Sequence, residues 1–172
     1  MKKTLYLLIF MSFFCSLNAH VNPDEALKKL IEGNKRFISG KSIRPNQTPE
    51  KVKELATGQK PFAIIVGCSD SRVPNEIVFD QGLGDLFIVR TAGQVSSYAS
   101  WGSMEFAATS LGAKLIVVLG HTKCGAVAAA CAVPDVPGHI VTLINAIKPA
   151  AEIAKDMEGD LVDNAVRVNV AK

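Results

Sequence analysis

The chain has 172 residues, 48% hydrophobic and 20% charged, a composition that suits one folded domain with a sizeable core and excludes a disordered chain. Its formal charge is +3, and Lys2 and Lys3 supply two of those positive charges. The remainder is nearly balanced, so nothing in it points to a nucleic-acid partner.

The first 19 residues read as a secretory signal peptide. Lys2 and Lys3 form its basic end, residues 5–17 its apolar core, and Asn18 and Ala19 precede the cut. The apolar run is shorter than the ~20 residues that a spanning helix needs. A lipid anchor at Cys15 is the weaker reading, because Phe14 is bulky where such a site wants a small residue. The expected compartment is the periplasm or the cell exterior, with no membrane attachment after cleavage. Residues 20–172 are then expected to form a single domain.

A helix is predicted over residues 22–39, with Asn22 as its cap, Pro23 in the first turn and Asp24 and Glu25 at the positive end of its dipole. Ala26, Leu27, Leu30, Ile31 and Phe37 fall on helical spacing and would pack against the rest. A polar stretch with Pro45 and Pro49 follows, then a short helix over 49–57. A first buried strand is predicted at 61–67, ended by Gly67. Residues 74–79 form a helical turn, and the DQGLGD stretch a loop in which Gly82 and Gly84 are turn glycines, since no phosphate-binding lysine follows them. A second strand covers 86–90, a loop 91–97, a helix 98–111 and a third buried strand 114–119. Trp101 and Phe106 are expected in the core or at a subunit contact. An alanine-rich helix is predicted at 124–133, a loop at Pro134 and Pro137, a helix at 139–157 and an amphipathic helix at the end. Strands alternating with helices define an α/β fold around a mostly parallel sheet.

The chemistry gathers at two strand ends. The first strand runs into Cys68, Asp70 and Arg72, and the third into Gly120, His121 and Cys124. In an open α/β sheet, ligands bind at the carboxyl ends of the strands. Two thiolates and an imidazole make three ligands for a catalytic zinc ion, with its fourth position open or exchangeable. The H-x-x-C spacing lets one strand-to-helix turn aim His121 and Cys124 at a single point, and a helix start beside Cys124 would favour its thiolate. Asp70 and Arg72 are two apart and can pair, which keeps Asp70 ionised and able to orient a zinc-bound water. Freed from Arg72, Asp70 could take the fourth zinc position itself. Zinc would lower the pKa of that water towards ~7 and make it a hydroxide nucleophile. Cys131 lies seven residues beyond Cys124, about 10 Å along a helix, and is expected to be a core residue. With Cys15 removed, three cysteines remain, an odd number. A Cys68–Cys124 disulfide is therefore expected only as an inactive fate of the metal-free protein. His20 and His139 have no partner pattern and read as surface residues.

Taken together, GNKRF at 33–37, CSDSR at 68–72, FDQGLGDLFIVRTAG at 79–93 and GHTKCGA at 120–126 closely resemble the β-class carbonic anhydrases. The resemblance implies reversible hydration of CO2 to bicarbonate and a proton by zinc-bound hydroxide. Carried over by position, it implies Cys68, His121 and Cys124 as zinc ligands and Asp70 and Arg72 as the water-orienting pair, with Asp70 a fourth ligand in a closed state. It also implies a homodimer or homotetramer with the site near a subunit interface. Gln94 stands where the family usually has asparagine, and Phe106 where tyrosine is common. The chain is expected to stop short of the family's last sheet-edge strand and further helix. Two rival functions share the ligands: hydrolysis of carbon disulfide or carbonyl sulfide, told apart by assaying both substrates, and non-catalytic zinc binding, told apart by zinc without turnover.

Overall fold

The computed structural model describes residues 21–132 and 135–172. The expected signal peptide, His20 and Pro134 lie outside the described residues. At the centre is a parallel sheet of three strands, β1 (Ala63–Cys68), β2 (Leu86–Thr91) and β3 (Ile116–Leu119), in the order β2–β1–β3. Every residue of β1 is buried, which explains its unbroken apolar run: both of its faces are covered. The chain leaves β1 for a neighbour on one side and then for a neighbour on the other. The crevice between the carboxyl ends of β1 and β3 is therefore a topological switch point, where open sheets take their ligands.

Gly67 does not end the first strand, as its sequence context suggested. It pairs with Arg90 and Leu119, Cys68 pairs with Thr91, and the cysteine is the last residue of β1. The glycine serves a close approach instead. A Cβ at residue 67 would stand 2.5 Å from Nδ2 of Asn75, so only glycine lets the short helix α3 (Asn75–Val78) close over the strand.

One face of the sheet is covered by α1 (Pro23–Ile38), whose cap is Asn22, with Oδ1 accepting from the Asp24 N–H at 2.8 Å. Ala26 and Leu30 bury against Phe62, Ala63, Ile65 and Phe79. Leu27, Ile31 and Phe37 of the predicted stripe remain exposed, because the stripe is wider than the surface it meets. The end of α1 is pinned by Arg36, whose Nε donates to the buried carboxylate of Asp80; the same carboxylate accepts the backbone N–H groups of Ile43 and Arg44. Helix α2 (Pro49–Leu55), capped by Thr48, buries none of its residues.

The other face is covered by α4 (Tyr98–Thr109), with Ala107 and Met104 against Ile64 and Phe87. This helix packs over β1 and β2, so the third strand is not buried as expected: Ile116 and Val118 are roughly half exposed at the open edge. Trp101 and Phe106 are half exposed too, outside the core, with Trp101 edge-on to Tyr98.

At the carboxyl end of the sheet, α5 (Gly125–Ala132), α6 (Ile140–Ala154) and α7 (Leu161–Ala171) form one layer around Val127, Ile144, Ile147, Ala165 and Val166. The alanines of α5, Ala151 and Ala154 of α6 and Ala165 of α7 let these helices approach closely. Cys68 and Cys124 belong to the same cluster, so the packing of three helices fixes the floor of the switch-point crevice. His139 is exposed at the start of α6, as expected. Among the described residues no helix is long and apolar enough to cross a membrane.

Candidate metal centre

The end of β1 and the turn after β3 bring together Cys68, His121 and Cys124, whose ligand atoms all lie within 4.8 Å of one another. The two sulfurs are 3.9 Å apart. Three features of the chain aim them. Cys68 is held by the strand register. Lys123, at φ 54°, reverses the chain between His121 and Cys124. Cys124 immediately precedes α5, where the backbone N–H groups of Val127 and Ala126 act to lower its thiol pKa.

The chemistry of these groups suits a shared cation. Burial pushes the Cys124 thiol up, and the neighbouring Cys68 sulfur adds to this, against the lowering by the Val127 and Ala126 N–H groups. The helix start therefore does not by itself secure the thiolate expected there. Two buried sulfurs side by side need a cation to be deprotonated together. Nδ1 of His121 lies 3.0 Å from the carbonyl of Thr122, which makes Nδ1 the protonated nitrogen and leaves a lone pair on Nε2. That Nε2 is buried with no hydrogen-bond partner. Sulfur, nitrogen and sulfur converging around an orphaned lone pair form a donor set suited to a tetrahedral zinc site with an open fourth position.

Asp70 lies beside this group and not within it. Its Oδ1 accepts from Arg72 Nε at 2.9 Å and from the Arg72 backbone N–H at 2.9 Å, and its Oδ2 from Arg72 Nη2 at 2.7 Å. These bonds to Arg72 hold the carboxyl well below the usual carboxylate range. Oδ2 is 3.8 Å from His121 Nε2, so the carboxylate faces the donor group while tied to its arginine. Of the two roles expected for Asp70, this is the paired one. Arg72 also donates to the carbonyl of Lys123 at 3.0 Å, joining the two turns of the site. Cys131 packs against the three-helix cluster, outside the donor group, as expected.

Two residues near the site carry more than the sequence reading gave them. Gly93, in a 3-10 turn over Ala92–Gln94, donates its N–H to Cys68 Sγ at 3.2 Å. Arg90 donates from Nε to the Cys68 carbonyl and from Nη2 to the Asp70 carbonyl, each at 2.7 Å. The signal for Arg90 was present: a lone cation following the apolar run of β2.

The carbonic anhydrase family model matches residues 63–172. Carbonic anhydrase 2 of Mycobacterium tuberculosis is 57% identical over 113 residues, which cover 66% of this chain and 55% of that protein. The chain thus spans about half the length of the curated relatives it matches. The structure is similar to the β-carbonic anhydrase CafA of Aspergillus fumigatus, with a TM-score of 0.62, 30% identity and coverage of 83% of this chain and 69% of that one. It is also similar to the tetrameric β-carbonic anhydrases of Sordaria macrospora, with a TM-score of 0.62, 26% identity and coverage of 83% and 74%. With two cysteine sulfurs and an imidazole at the switch point of a parallel sheet, the chain belongs to the carbonic anhydrase family, in its β class.

Proposed function

We propose that this protein is a zinc-dependent carbonic anhydrase, interconverting CO2 and water with bicarbonate and a proton. The observation that carries the reading is the Cys68–His121–Cys124 donor group standing beside an ionised Asp70, in a chain of this family. Cys68, His121 and Cys124 would hold the zinc. When bound, zinc makes water acidic enough to act as a nucleophile near neutral pH.

The chain's own residues do the rest. Asp70 carries no proton at neutral pH, so it can only accept a hydrogen bond. It orients the attacking oxygen by its remaining proton and leaves a lone pair free for the carbon of CO2. Arg72 keeps Asp70 in that state and, by engaging both carboxylate oxygens, keeps it from the metal. Nδ1–H of His121, donated to Thr122, keeps the ring turned with Nε2 towards the sulfurs.

The unit that does this is a single domain following a signal peptide at 1–19, exported to the periplasm or beyond. The apolar run between Lys3 and Asn18 supports that reading. Self-association into a dimer or tetramer fits the exposed Trp101, Phe106, Ile116 and Val118, and the Sordaria relatives are tetrameric.

Stopped-flow CO2 hydration with zinc measured on the same sample tests the reading, using the parent chain and Arg72→Ala. The parent should turn over with about one zinc per chain. Arg72→Ala should keep its zinc and lose about 100-fold or more in rate, the low end of general acid–base contributions. Zinc without turnover in the parent overturns the enzyme reading, and an unchanged rate in the variant removes the pair from the mechanism.

A further inference from the structure

We propose that Arg90 is a positioning residue for the metal centre: its guanidinium spans the carbonyls of Cys68 and Asp70, so that β2 sets how the thiolate and the carboxylate face each other. The proposal rests on the zinc reading above. Arg90 pairs in register with Gly67, directly beside the turn that carries the site. Its Nε reaches the Cys68 carbonyl and its Nη2 the Asp70 carbonyl, both at 2.7 Å. Among the described residues no carboxylate forms an ion pair with it. A partly buried guanidinium that binds two carbonyls and no acid is placed for those carbonyls.

The bridge matters because of what lies between them. The two carbonyls flank Ser69, so the fork closes Cys68, Ser69 and Asp70 into one fixed turn. A planar guanidinium with parallel donors can span such a pair; an ammonium is a single point. The closed turn leaves the Asp70 N–H 3.4 Å from Cys68 Sγ and the Asp70 carboxylate 3.8 Å from His121 Nε2. Arg72 cannot hold this arrangement alone, because its side chain is 59% exposed. Arg72 supplies the charge opposite Asp70, and Arg90 supplies the backbone anchor. Without the anchor, the contact from Ser69 N–H to the Thr91 carbonyl at 2.9 Å is what still ties the turn to β2. The carboxylate then follows its exposed partner.

The test uses Co(II) in place of zinc in the full chain, comparing the parent with Arg90→Gln and Arg90→Lys. Both variants should fold by far-UV circular dichroism and still bind one Co(II). Their ligand-field bands should change shape, and their metal affinity should fall about 10–100-fold, as for other outer partners of metal ligands. CO2 hydration should lose kcat with little change in KM. Arg90→Lys restores charge without the fork, so it should resemble Arg90→Gln. A parent-like spectrum and affinity in Arg90→Lys would overturn the proposal, as would a parent-like spectrum in Arg90→Gln. Unfolding of both variants would place Arg90 in the framework of the sheet and overturn it too. A parent chain that takes up Co(II), and with zinc hydrates no CO2, defeats the carbonic anhydrase reading and leaves the spectra to decide about Arg90.

Discussion

Replacing Gly93 by alanine should damage stability and metal binding together, and the structure allows the two costs to be separated. Gly93 sits at φ 66°, where a side chain costs about 1–2 kcal/mol in backbone strain. Its new Cβ would stand 2.7 Å from Ile147 Cδ1 and 3.2 Å from Ala126 Cβ. Ile147 is fully buried among the three helices, so overpacking adds about 1–3 kcal/mol. The smaller conformational freedom of the unfolded alanine chain returns about 0.4–1 kcal/mol, leaving a net loss of about 1–5 kcal/mol. Urea unfolding should show this as a midpoint lowered by about 0.5–2.5 M, at a slope of about 2 kcal/mol/M. Zinc affinity should fall about 10-fold or more, because the N–H aimed at Cys68 Sγ shifts with the turn. Ile147→Val removes the clashing Cδ1 and isolates the steric part. In a double-mutant cycle the pair should be less destabilised than the sum of the singles by about 1–2 kcal/mol. Additivity within about 0.5 kcal/mol refutes the steric argument, and an unmoved midpoint refutes the whole of it.

Asp80→Asn should cost about 2–3 kcal/mol at pH 7, because every neighbour of the buried carboxylate is a donor and the amide turns one acceptor into a donor facing another donor. Burial raises the Asp80 pKa, but the Arg36 guanidinium and the N–H groups of Ile43 and Arg44 outweigh it and leave the carboxyl below its ordinary value. A lowered folded-state pKa gives stability that is present above the unfolded value of about 3.9 and lost as pH falls through the folded one. The gap between the parent and the variant should therefore narrow below about pH 4; a gap that holds at pH 3 contradicts the assignment. Zinc uptake at pH 7 should release at least about one proton per ion, since the Cys124 thiol is pushed up by burial and must ionise to bind. Calorimetry in two buffers of different ionisation enthalpy reads that number, and a release below one would exclude Cys124 as a ligand.

The sequence alone determined the α/β class, the three strands, the capped first helix and the donor set of Cys68, His121 and Cys124, because these follow from local periods and from the chemistry of a few residue types. Cys68 lay at the end of a run of β-branched residues, and His121 and Cys124 followed a glycine after another, so each could be placed at a strand end by inspection. Strand order is different. That β1 lies between β2 and β3, and so makes a switch point at Cys68, is a property of pairing across long separations. Burial along β3 also depends on where α4 lies, which no period within 114–119 encodes. Gly67 read as a strand breaker because a lone glycine usually is one; only the approach of Asn75 revealed its use. The same holds for Arg90 and Gly93, which act through a carbonyl, a sulfur and a turn that lie beside them in the folded chain although 20 or more residues away in sequence. Ligands are declared by their own chemistry, whereas the residues that aim them are declared only by contact.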